Sequence, residues 1–224
     1  PTHSKLKRPV GSLNEKMARL QEIGEQMQHN FDRYSEQIDD LNYLEHVKLG
    51  RETLRKKDMD LCRIIRALIR FYKNEARNKG VKLKTQLPEN CLLEADKKAI
   101  SSVLRNLISN SIEHNKAALE EETKEPDGWV EVAIKEEGEN VMIRVTNTSV
   151  LPDEDKKTFN RGEPFSDRGA HGFGLYMVRE FVHKHGGTID VDSGSREGEA
   201  ITTFTVNLPG RLKKNEQQPY DEGT

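Results

Sequence analysis

Apolar positions recur along the first fifth of the chain at spacings of three and four. Leu13, Met17, Leu20 and Met27 form one series, and Phe31, Tyr34, Ile38, Leu41 and Leu44 form a second after His29-Asn30. This spacing predicts two amphipathic helices with coiled-coil-like seams, joined near residues 28 to 31. One hairpin cannot bury both stripes, so residues 1–50 are expected to associate with a second copy as a dimeric four-helix bundle. Gly50 suits a helix C-cap, and residues 51–60, rich in Lys, Arg and Asp, suit a charged linker.

Past residue 60 the pattern changes. Ile64, Ile65, Leu68 and Phe71 predict a helix over Leu61 to Lys79 that stops at Gly80, and Val81 to Leu87 alternates with period two. Cys91 to Asp96 reads as another strand, with Asp96 placed to cap a helix whose apolar stripe is Leu104, Leu107, Ile108 and Ile112. The acidic stretch between Asn115 and Gly128 reads as loop. Trp129 to Lys135 and Val141 to Thr146 alternate across Glu137-Gly138-Glu139-Asn140, a hairpin signal, and Thr188 to Val191 and Ala200 to Leu208 add two strands. Helices gathered on one face of a mixed sheet make residues 61–209 an α+β sandwich, with residues 210–224 a polar tail.

Composition narrows the function classes. With 33% hydrophobic and 33% charged residues the chain is polar for a globular protein, as long exposed helices make it. A formal net charge of -2 argues against a nucleic-acid binder. Cys62 and Cys91 lie in no metal-ligand spacing, which fits structural burial in a reducing cytoplasm. No apolar run reaches the ~20 residues that cross a bilayer. A chain that opens on Pro1 reads as part of a longer protein, whose membrane segment, if it has one, lies upstream.

Two stretches carry candidate chemistry. Asn106, Asn110 and His114, four residues apart in succession, stack two amides and an imidazole on the helix face opposite the apolar stripe. Amides offer an oxygen to a metal and donors to phosphate. Alone, such a face equally suits a solvated surface helix. Some sixty residues later Gly169-Ala-His-Gly-Phe-Gly-Leu-Tyr-Met-Val178 runs from a glycine-rich loop into a second amphipathic helix marked by Leu175, Val178 and Val182. Glycines let backbone N–H groups approach phosphate, and a helix N-terminus favours anions.

These segments, in this order and with the accompanying strands and Gly186-Gly-Thr-Ile189, resemble the sensor histidine kinases from about residue 3 to residue 209. Their nucleotide domain belongs to the ATPase superfamily shared with gyrase, MutL and the ninety-kilodalton heat-shock chaperone. The resemblance implies the core of a two-component kinase that binds ATP and magnesium, autophosphorylates on a histidine and passes the phosphoryl group to an aspartate of a response-regulator receiver domain. It implies that Asn110 coordinates Mg2+, that Asn106, His114 and Asn115 lie near the phosphates, and that Gly172, Gly174 and Leu175 form the phosphate-facing turn. Phe159 to Arg168 resembles the lid, with Phe159 and Phe165 as anchors and Arg161 and Arg168 meeting phosphate charge; Thr203 lines the pocket floor.

Two motifs depart from the family. The phosphoacceptor motif is matched by His3-Ser-Lys-Leu-Lys-Arg-Pro-Val10, which places Ser4 at the acceptor position, Lys5 where a carboxylate is expected, and Arg8 in place of Thr or Asn. A working His3 in shifted register, a substituted acceptor at Ser4 and a pseudokinase all fit that pattern, as does a plain tail histidine. The adenine-binding Asp-x-Gly-x-Gly is replaced by Asn147-Thr-Ser-Val-Leu-Pro152, where a neutral amide accepts a weaker hydrogen bond than a carboxylate. The alternative function is therefore a catalytically impaired, nucleotide-binding dimeric scaffold.

Overall fold

The computed structural model describes residues 13–89, 91–115, 128–152, 156–157, 159 and 171–213. They fall into two compact units divided between Asn42 and Tyr43.

The first unit is helical. Helix α1 runs without interruption from Leu13 to Lys48, so one helix takes the place of the predicted hairpin. Its apolar positions explain why. Met17, Leu20, Met27, Phe31, Tyr34 and Ile38 keep one heptad phase straight through residues 28 to 31, and no proline or glycine stands at the supposed turn. Gln28 Nε2 donates to Asp32 Oδ1 at 2.9 Å, one helical turn on, across that point. All six apolar side chains are exposed.

The second unit is a two-layer α+β fold. The strand β1 (Lys56–Asp60) leads directly into α2 (Leu61–Asn78), so part of the predicted linker is strand. Asp60 Oδ1 caps α2 by accepting from the Arg63 N–H at 3.0 Å, and Gly80 beyond its end takes φ +66°. Strands β2 (Val81–Gln86) and β3 (Leu92–Asp96) follow, then α3 (Lys97–Glu113), β4 (Gly128–Glu137), β5 (Asn140–Thr148), α4 (His171–Lys184), β6 (Thr188–Arg196) and β7 (Glu199–Pro209).

β1 and β3 pair antiparallel as a small separate sheet, Met59 opposite Leu93. The main sheet has the order β2-β4-β5-β7-β6; β2 is parallel to β4 and the other pairs are antiparallel. Period-two alternation sends Val130, Val132 and Ile134 of β4, Val141, Ile143 and Val145 of β5, and Phe204, Val206 and Leu208 of β7 to one face. There they meet Ile100, Leu104, Leu107, Ile108 and Ile112 of α3 and Val178, Phe181 and Val182 of α4, all buried. Each such side chain contributes roughly 1.5–3 kcal/mol of burial energy. Cys62 and Cys91 are buried as expected and are joined as a disulfide, with Cα atoms 5.4 Å apart.

Candidate functional site

The helix with the amides is fixed at its start by one carboxylate. Asp96 Oδ1 accepts from the Ala99 N–H at 3.0 Å, the N-cap bond the sequence predicts. Its Oδ2 accepts from the Tyr43 hydroxyl at 2.6 Å and from the Arg55 N–H at 2.7 Å. The Asp96 N–H in turn donates to His185 Nε2 at 3.0 Å, which leaves His185 Nδ1 as the donor to Phe181 O at 2.7 Å. The start of α3 and the end of α4 are thereby tied together.

Burial governs the charges of this cluster. It pushes the Asp96 carboxyl up, but the Ala99, Tyr43 and Arg55 donors outweigh it, so the net shift is down. Burial, with the Asp96 charge beside it, drives the Tyr43 phenol upward and keeps it a donor. Burial lowers His185, against an opposing pull from its bond to Phe181, so the ring is neutral near pH 7.

Further along α3, Asn106 is buried and its Nδ2 donates to Ser102 O at 2.9 Å. Its Oδ1 faces the first turn of α4. A Cβ placed on Gly174 would stand 2.6 Å from that oxygen, a distance no ordinary contact allows. Glycine at 174 is what lets the two helices close at this point. Gly172, Gly174 and Leu175 all lie in the opening turns of α4, which begins at His171.

Asn110 lies one turn beyond Asn106, half-buried. Its side-chain amide makes no hydrogen bond among the described residues, while its backbone oxygen accepts from the His114 N–H at 2.9 Å. An uncommitted amide oxygen suits a hard, partly hydrated cation whose other ligands come from phosphate and water. His114 is exposed at the C-cap of α3.

Asn115 follows the C-cap of α3. It is fully buried; Nδ2 donates to Trp129 O and Oδ1 accepts from Thr148 Oγ1, both at 3.0 Å. These bonds latch the end of α3 to β4 and β5.

Asn147 continues the inward row of Val141, Ile143 and Val145 on β5. It is 2% exposed and makes no side-chain hydrogen bond among the described residues. Its cross-strand neighbour on β7 is Thr202, also buried. Thr203, predicted to line the floor, points to the other face of the sheet, where its Oγ1 lies 3.1 Å from that of Thr146. The alternation of Thr202, Phe204, Val206 and Leu208 held the signal for this register; one residue of slip exchanges the faces. Thr202 Oγ1 accepts from Ser149 Oγ at 2.8 Å.

The foot of the predicted lid is anchored. Phe159 is buried edge-to-face on Phe204, centroids 5.8 Å apart, and the Arg179 guanidinium stacks on its ring and donates to its carbonyl. Lys156 pairs with Asp192 of β6. Arg161, Phe165 and Arg168 lie outside the described residues, as do His3 and Ser4.

The profile of the histidine kinase-, DNA gyrase B- and HSP90-like ATPases matches residues 95–212, which span β3 to the end of β7. Among curated proteins, the chain is 26% identical over 196 residues to the autoinducer 2 sensor kinase/phosphatase LuxQ of Vibrio vulnificus, covering 81% of this chain and 21% of that protein. It is likewise 26% identical over 189 residues to the sensor-like histidine kinase SenX3 of Mycobacterium tuberculosis, covering 81% of this chain and 43% of that one. The chain thus spans between a fifth and about two-fifths of the length of these relatives. In fold it is similar to the histidine kinase ThkA solved in complex with the response regulator protein TrrA, with a TM-score of 0.54 and 22% identity over 94% of this chain and 53% of that one.

Proposed function

Because the chain belongs to the histidine kinase-, DNA gyrase B- and HSP90-like ATPase family, we propose that it is the ATP-binding core of a two-component sensor histidine kinase. The observation that carries this reading is the closure of Asn106 on Gly174, which sets the amide face of α3 against the first described turns of α4. A triphosphate at that junction meets backbone N–H donors from α4 and side-chain amides from α3. Asn147, buried beside Thr202 on the helix-facing side of the sheet, supplies an amide for the base.

Mg2+ held by Asn110 would neutralise phosphate charge, and the surrounding residues contribute position and electrostatics. Transfer takes the γ-phosphoryl group to an imidazole nitrogen: a N–P bond forms, the bridging P–O bond to ADP breaks, and ADP leaves. The acceptor is His3 in this reading, with Ser4 as the competing position. From the histidine the group passes to an aspartate of a receiver domain, as the named partner of ThkA suggests. The exposed stripe of α1 from Met17 to Ile38 is the surface by which a second copy would pair. No helix among the described residues is long and apolar enough to cross a membrane.

Incubation with magnesium and γ-labelled ATP, followed by acid and base treatment, tests the proposal. Base-stable, acid-labile label lost in His3→Ala supports it fully. Nucleotide bound without label would leave the scaffold reading, and no nucleotide binding by calorimetry would end both.

A further inference from the structure

We propose that Cys62 and Cys91 are a redox modification site whose oxidation state sets the rigidity of the corner from which α3 starts. Cys62 stands in the first turn of α2 and Cys91 immediately before β3, 29 positions apart in sequence. Their Cα separation of 5.4 Å falls within the 4.4–6.8 Å range that a disulfide bridges without backbone movement. Both sulfurs also lie near the Pro88 carbonyl, and the Leu61 N–H donates to Cys91 O at 3.0 Å. These contacts hold the two segments in register around the cysteine pair.

The position gives the bond a consequence. β3 runs only from Leu92 to Asp96, and Asp96 caps α3 while holding Tyr43, Arg55 and His185. A covalent tie between α2 and the start of β3 stiffens the strand that presents this carboxylate. Disulfides in a reducing compartment are usually transient and redox-sensing rather than permanent staples, and the kinase reading places this domain in such a compartment. Only that compartment argument rests on the kinase reading; the geometry of the pair stands without it.

The chemistry is thiol–disulfide exchange with a small-molecule disulfide such as oxidised glutathione. One cysteine thiolate attacks a glutathione sulfur, forming a mixed disulfide and releasing one glutathione thiolate. The second cysteine thiolate then attacks the protein-bound sulfur and releases the other. Two electrons pass from the cysteines to glutathione, and the two thiol protons end on the two reduced glutathiones. Both cysteines are buried, so exchange proceeds through local opening of the β1–β3 corner.

The test is a titration of the whole chain through graded ratios of reduced to oxidised glutathione, quenched, denatured, alkylated and weighed by mass spectrometry. The expected result is a single two-electron transition to an unalkylated intramolecular disulfide. The oxidised form should melt roughly 10 °C higher than the reduced form. Hydrogen exchange at the Ala99 amide should slow on oxidation, and Cys62→Ser or Cys91→Ser should abolish all three effects. Two alkylatable thiols at the most oxidising ratio, or glutathione adducts alone, overturn the proposal. So does one zinc ion retained per reduced chain, since Asp60, Cys62 and Cys91 lie close enough to share a metal. None of these readouts uses ATP, so failure here is separable from failure of the kinase reading.

Discussion

Asn106 and Gly174, far apart in sequence, meet so closely that the amide oxygen of one occupies the place where a side chain on the other would begin. Gly174→Ala is therefore expected to push α4 from α3, at a cost of about 1–3 kcal/mol, and to weaken nucleotide binding at least tenfold. Asn106→Ser, which shortens the opposing side chain, should restore part of the lost stability in the double variant. Thermal melts and calorimetric ATP titrations of the three proteins check this; an unchanged Gly174→Ala protein would rule it out.

Asn110 and Asn115 should separate cleanly. Asn110→Ala removes an amide with no hydrogen bond among the described residues, so its melting temperature should stay within about 2 °C while magnesium-dependent ATP binding falls. Asn115→Ala orphans the Trp129 carbonyl and takes a partner from Thr148. It should cost about 2–4 kcal/mol in chemical denaturation.

Sheet register makes a paired prediction at neighbouring threonines. Thr202→Val, on the helix-facing side next to Asn147, should lower ATP affinity several-fold. Thr203→Val, on the opposite face, should leave it unchanged. Equal losses in the two variants would refute the register assigned to β7.

Acid should destabilise the second unit in two steps. His185 has its folded pKa below the ordinary 6.5 because burial disfavours the charged ring, with Lys56 adding to the shift while the Phe181 bond and Asp96 oppose it. The unfolded chain therefore takes up this proton first, and stability present above pH 6.5 declines as pH falls through the lowered value. Asp96 is also depressed in the folded state, so its contribution holds above its ordinary 3.8 and is lost below that. Urea midpoints from pH 8 to pH 4 should fall most steeply below 6.5, and His185→Phe should flatten that first step.

Charge on the stripe of α1 should break the self-association proposed through it. Phe31→Glu together with Ile38→Asp is expected to yield a monomer by light scattering, with the second unit still folded and binding ATP as tightly as before. A wild-type chain that is monomeric at high micromolar concentration would remove the basis for pairing through this face.

Much of the second unit was legible because its elements follow simple periods. The alternation in β4 and β5 and Asp96 as a cap both appear as the pattern requires. The failures have physical causes. Gly24 apart, α1 contains no breaker, and an unbroken heptad is evidence for one helix even where polar His29-Asn30 suggests a turn. β1 reads Lys-Lys-Asp-Met-Asp, and only Met59 is buried in it, so no alternation announces a strand. Thr203 and Thr202 differ by one position, which a strand converts into opposite faces. The contacts of Asp96 with Tyr43 and His185 span 53 and 89 positions, beyond any local pattern.

Asp96 meets its partners through two kinds of group, and this bears on how the sequence can drift. Arg55 and Ala99 contribute main-chain amides, which nearly any amino acid would offer, so those sites are free to vary. Tyr43 and His185 contribute a phenol and an imidazole, which few residues imitate. Across divergent homologues, positions 43, 96 and 185 should change together or not at all, whereas 55 and 99 should wander independently of them.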